Sequence, residues 1–152
     1  MPRSSGLAEP PPSRISTSSC TRRLLSKTGS IPTEVDYPIS VWSFGEDLAI
    51  LFLAGEVVVD YSVRLNRELD WSRLWITAWA NDMPGYIPSR RVLLEGGYEP
   101  EFSQVYYAQP GRYALEMENV LVAAIKQLVG KPYAASPEQQ LAPFHEPPIG
   151  AP

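Results

Sequence analysis

Two apolar runs of different character, joined by a segment whose period changes, constrain this chain more than any other feature. Residues 48–53 (LAILFL) form a continuous apolar run, and residues 74–79 (LWITAW) form a second, rich in β-branched and aromatic side chains. Both read as strands. Between them Val58, Tyr61, Leu65 and Leu69 recur at spacings of three and four, with Asp60, Arg64, Arg67 and Glu68 on the opposite side. That is the pattern of an amphipathic helix of about four turns. We place its start close to Glu56, although the β-branched run at 57–59 is mediocre helix material, with Gly55 making the tight strand-to-helix turn. Strand, helix, strand in this order predicts a right-handed crossover with the two strands parallel.

Other elements extend this unit. Residues 39–44 (ISVWSF) alternate, and Gly45-Glu46-Asp47 links them to the apolar run as a hairpin whose first strand lies at an edge and whose second is buried. Ser89 is placed to cap a short helix through Glu95 that Gly96-Gly97 closes. Residues 98–112 read as irregular, with a strand around 104–107. A second main helix is expected over 114–129, stopped by Gly130. The expected fold is therefore α/β (or α+β), a partial sheet of three to four strands with two main helices. The four tryptophans are expected to pack in the core and on the sheet face.

The 152 residues suit one domain. Its 16 prolines crowd the two ends and the central loop. We divide the chain into a disordered basic Ser/Pro-rich leader (1–32), a folded region (33–131) and a disordered Pro-rich tail (132–152). Within residues 1–30, Arg3, Arg14, Arg22, Arg23 and Lys27 face Glu9 alone, a net +4, so the remainder holds −8 against the total of −4. An acidic body lacks the clustered Lys and Arg that nucleic acid requires. The lone cysteine, Cys20, rules out an internal disulfide framework and a cysteine-based zinc site. No apolar run reaches the ~18–20 residues of a membrane span. The leader carries no apolar h-region, so no export signal is read, which points to the cytoplasm.

In open sheets with parallel strands, ligands gather beyond the carboxyl ends of the strands. Glu56 and the polar loop 81–86 (NDMPGY) both emerge at that edge, so the expected topology brings the Glu56 carboxylate toward the Tyr86 phenol. No rival constellation stands in the chain: no Gly-x-Ser-x-Gly elbow, no phosphate-cradling Gly-rich loop and no His-Glu-x-x-His helix. The only histidine, His145, sits in the Pro-flanked tail. Each singled-out residue also has a plain structural reading. A carboxylate at a helix start is favoured by the dipole alone, and Tyr86, between Pro84 and Pro88, can simply pack a loop.

The order Gly55-Glu56, Asn81, Tyr86, Tyr98-Glu99 resembles the later part of the catalytic domain of neutral/alkaline ceramidases, zinc amidases that cleave the N-acyl bond of ceramide. The resemblance covers roughly residues 36–130. In that family a Gly-Glu pair after a buried strand supplies a zinc ligand. A strand, an asparagine, a zinc-ligating tyrosine five positions on and a Tyr-Glu pair twelve further follow it. The resemblance thus implies Glu56 and Tyr86 as metal ligands and zinc as the cofactor of a complete site, which would act on a lipid amide. It implies Asn81 as a residue that holds the loop or orients a ligand. The family draws two histidine ligands, a serine and an arginine from a long upstream region, which the 55 residues before Glu56 do not match. The chain departs from the family after Glu56 (Val-Val-Val-Asp-Tyr), before Tyr86 (Pro-Gly) and after it (Ile-Pro-Ser-Arg-Arg). The expectation is a fragment of a zinc amide hydrolase, inactive alone and completed by a missing amino-terminal catalytic portion. The alternative is a non-catalytic structural or partner-binding module, with sugar or lipid binding by the aromatic residues as a third reading.

Overall fold

Residues 33–137, with residues 27, 29 and 30, are described by the structure, a computed structural model. Nearly all of the basic leader, the tail beyond 137, Cys20 and His145 lie outside the described residues. In chain order the elements are β1 (Ile39–Phe44), β2 (Leu48–Leu53), β3 (Glu56–Val57), α1 (Val59–Glu68), β4 (Leu74–Thr77), β5 (Tyr86–Ile87), α2 (Arg90–Glu95) and α3 (Met117–Val129). β1 and β2 form the antiparallel hairpin, and β4 lies parallel to β2 on its other side, with Ala49 opposite Leu74 and Phe52 opposite Thr77. The sheet order β1-β2-β4 puts the most apolar strand in the centre. A second sheet pairs β3 with β5 in parallel. The molecule is a mixed α/β fold, with the crossover helix between parallel strands as expected.

The strand period decides what is covered. Ala49, Leu51 and Leu53, every second residue of β2, are at most 2% exposed. They meet Tyr61 and Leu65 of α1, Val122, Ile125 and Val129 of α3, and Tyr133 in one core. Residues of opposite parity face away from both helices. Trp42 and Trp75 stand there, 61% and 65% exposed, and Trp71 and Trp79 in the connections flanking β4 are exposed as well. Of the expectation that the tryptophans pack in the core and on the sheet face, the core part is corrected: Trp42 and Trp75 do stand on a sheet face, one that no described element covers, and none of the four is buried.

Three further expectations are corrected. The crossover helix starts at Val59, not near Glu56, because Glu56 and Val57 are extended and pair with β5. The β-branched run prefers that geometry, and a neighbouring strand is in reach to take it. No strand forms at 104–107. Residues 98–102 make a wide helical turn and residues 103–105 a 3-10 turn. The Ser103 hydroxyl (2.6 Å) and the Gln104 amide both donate to the Glu99 carbonyl, which holds the segment coiled. α3 begins at Met117, three residues later than expected.

Order also runs past 131. Lys131–Tyr133 forms a 3-10 turn, and Ala134 bridges Leu69 in antiparallel fashion. Tyr133 is buried, and its hydroxyl donates to the Gly45 carbonyl at 3.0 Å. Arg73 completes the join, donating to the Glu46 and Pro132 carbonyls at 2.6 and 2.7 Å. An aromatic side chain with core to fill outweighs the local proline-rich composition. Ser89 caps α2 as expected, accepting from the Val92 N–H, and Gly96 ends that helix. Among the described residues no helix is long and apolar enough to cross a membrane.

Candidate functional site

Beyond Leu53 the chain leaves the three-stranded sheet through Ala54 and turns at Gly55, whose φ is +69°. That turn aims the Glu56 N–H at the Gly85 carbonyl (2.9 Å) and the Gly55 N–H at the Asp82 carbonyl (3.0 Å). In return, Trp79 and Ala80 donate to the Gly55 and Leu53 carbonyls at 3.0 and 3.1 Å. The loop after β4 is thereby laced to the end of β2. A Cβ at Gly55 would lie 2.4 Å from the Gly85 carbonyl oxygen, and one at Gly85 would lie 2.9 Å from the Tyr107 ring. Glycine at 55 thus admits the Gly85 carbonyl, and glycine at 85 admits the Tyr107 ring. The lacing holds two residues in the left-handed region, Trp79 (φ 61°) and Asn81 (φ 68°). Asparagine tolerates this conformation, while a bulky tryptophan there costs about 1–2 kcal/mol that the surrounding bonds must offset.

The result is a two-rung parallel ladder with Glu56 opposite Tyr86 and Val57 opposite Ile87. Parallel neighbours sit ~4.8 Å apart, so the ladder itself sets the two side chains beside each other. The pKa of the Tyr86 phenol is pushed up to about 12, first by the neighbouring Glu56 carboxylate as a hydrogen-bond acceptor and then by desolvation, so the phenol is neutral near pH 7, as an ordinary tyrosine is. Tyr98 stands against the Tyr86 ring, centroids 5.7 Å apart and planes at 79°, an edge-to-face contact.

The other sequence-predicted positions divide. Tyr98 joins the pair. Asn81 turns toward the sheet, donating to the Ser40 hydroxyl at 3.3 Å, and so pins the loop to β1. Glu99 contributes its main-chain carbonyl to the turn described above. Arg91 binds Asp60 through both of its carboxylate oxygens (2.8 and 3.0 Å) as well as Glu95.

Sequence reasoning missed the support beneath the ladder. The buried Ser89 hydroxyl donates to Asp60 while accepting from Val92. Arg91, foremost through its hydrogen bond, holds the Asp60 carboxyl below its usual range. The Tyr61 hydroxyl donates to the Pro88 carbonyl at 3.3 Å. These contacts tie the residues just after β5 to α1, and with them the position of Tyr86. Tyr107, against Gly85, was missed as well. The only signal in the sequence was its doubled tyrosine in a segment too polar for the core.

Chemically, the pair is a carboxylate and a neutral phenol that can offer two oxygen donors to one ion. Zinc sites ordinarily take at least three protein ligands. Among the described residues no group of three or more His, Cys, Asp or Glu side chains could hold a metal. The described residues do not, by themselves, fit a zinc centre. No protein-family profile, curated protein or solved structure matches this chain.

Proposed function

We propose that the chain is part of a zinc-dependent amide hydrolase resembling neutral ceramidase, in which Glu56 and Tyr86 are two of the metal ligands. What supports the reading is the register that sets these two residues, and no other acid–phenol pair, opposite each other on a ladder. The resemblance in residue order points to the same two positions. The imidazole donors come from outside the described residues, so the chain hydrolyses no amide unaided and a lipid amide is its substrate only in the completed site. Once a cation neutralises the carboxylate, the cause of the raised Tyr86 pKa is removed, and the phenol becomes easier to ionise.

The test is zinc binding by equilibrium dialysis with and without free imidazole, for the wild-type chain, Glu56→Gln and Tyr86→Phe. The expected result is little zinc without imidazole, and imidazole-dependent zinc that both substitutions abolish. Zinc uptake indifferent to both residues under both conditions refutes the proposal.

A second reading has its own observation. Among the described residues β4 pairs with β2 alone, and Leu74, Trp75 and Ile76 of β4 line a groove together with Trp71 and with Ser62 and Asn66 of α1. On this reading the chain is a non-catalytic module that takes an extended segment of a partner as an added strand. Ile76→Pro, which breaks that edge, is expected to abolish such binding; because Ile76 also packs against the core, its unfolding transition is measured beside it.

A further inference from the structure

Among the described residues nothing covers the sheet face opposite the helices. Pairing puts Trp42, Ile50 and Trp75 in one row across the three strands, and Phe52 packs its ring 5.0 Å from that of Trp42. Every outward position of β1, β2 and β4 is Trp, Phe, Leu, Ile, Ser or Thr, with no charged side chain among them. Trp42 (61%), Phe44 (55%) and Trp75 (65%) are mostly exposed.

We infer that this face is a dimer interface, and that its occupant is the same face of a second copy of the chain. Three observations carry this. The first is area. An aromatic side chain can bury ~150–250 Å², so these three rings with Ile50 and Phe52 present roughly 500 Å². That is at the upper end of what monomers leave open. Doubled by a two-fold axis it reaches about 1,000 Å², the threshold of a specific interface. The second is charge. A face without ionised groups sets no like charges together when it meets itself, whereas a partner chosen by charge finds nothing here to read. The third is shape. Large rings on the two edge strands flank the smaller Ile50 on the central one. Two such twisted sheets pack ~10 Å apart at about −30°, with ridges entering the neighbouring troughs. The inference goes beyond both readings above: it uses neither Glu56 nor Tyr86, and although it shares Trp75 with the groove beside β4, Trp42 belongs to the face alone.

The test is sedimentation equilibrium of the full chain from 1 to 100 µM, set beside Trp42→Glu, Trp75→Glu and the control Val120→Glu on α3. All three side chains are exposed, so far-UV circular dichroism and the unfolding transition are expected to hold in each variant. The expected result is a mass of twice 16.9 kDa for the wild type and Val120→Glu. Each face variant should raise the dimer dissociation constant roughly 30-fold or more, as for a central tryptophan of an interface. A wild-type chain that is monomeric throughout overturns the inference, and so does a dimer indifferent to both face variants. A monomer that binds phosphatidylcholine vesicles through Trp42 and Trp75 overturns it in favour of a lipid surface.

Discussion

Replacing Gly55 by alanine tests whether the β3–β5 ladder depends on the close approach of two glycines. The new Cβ meets two separate penalties. A φ of +69° costs an L-residue about 1–2 kcal/mol. The methyl also points at the Gly85 carbonyl oxygen, 2.4 Å away, and this oxygen accepts the Glu56 N–H. The oxygen belongs to the main chain and cannot swing aside, so the strands must part. Separation loses the Gly55–Asp82 and Glu56–Gly85 hydrogen bonds, worth ~0.5–1.5 kcal/mol each. The total is about 2–5 kcal/mol. Gly45→Ala isolates the first penalty, because φ is +61° there and nothing lies within 4 Å of the added atom. Urea denaturation followed by tryptophan fluorescence should show Gly55→Ala less stable than Gly45→Ala by ~1–3 kcal/mol. A second readout follows Tyr86, whose ionisation should fall from about 12 toward the ordinary 10 as Glu56 moves away. Equal costs within ~0.5 kcal/mol for the two alanines, with an unchanged Tyr86 titration, refute the reasoning.

Four other outcomes are expected. Glu56→Gln should lower the Tyr86 midpoint from about 12, read by phenolate absorbance with Tyr86→Phe subtracted. Because the folded value lies above the unfolded ~10, the associated stability is complete below pH ~10 and is lost as pH climbs from there to 12; a pH-independent Glu56→Gln difference across that window contradicts the assignment. Ser89→Ala should cost about 1–2 kcal/mol by denaturant midpoint, since it removes the α2 cap and the Asp60 contact together. Asp60 has a depressed pKa, so its share of stability is present above pH ~4 and fades below it, and Asp60→Asn should flatten that acid limb. Tyr133→Phe should cost about 1 kcal/mol by losing the bond to the Gly45 carbonyl, whereas Tyr133→Ala should cost about 3–5 kcal/mol.

What was legible in the sequence followed from period and punctuation. The alternation of 39–44, the unbroken run 48–53 and the three-four spacing after it each repeat often enough to announce their geometry. Ser89 and Gly96 mark the ends of α2 by chemistry that acts over one turn. β3 and β5 were not legible, because two residues have no period and each needs a partner thirty positions away. Glu56 and Tyr86 nevertheless meet, by a route other than the expected one: rungs of a ladder, not a helix start facing a loop. The Asp60–Ser89–Arg91 contacts carry no pattern either, since ordinary polar residues acquire partners only through tertiary placement. The exposure of Trp42 and Trp75 was not legible, because hydrophobicity says that a side chain seeks cover, while the parity of its strand position decides which face it stands on.

The Tyr133–Gly45 bond joins residues 88 apart in the chain. During synthesis the hairpin emerges from the ribosome first, and its turn must wait for the last of the core aromatics to be translated. Until then the hairpin turn and one side of the core lack their aromatic plug, although α1 and α3 have already been made. A chain stalled just short of position 133 should therefore be more open to chaperone capture and proteolysis than one stalled just beyond it.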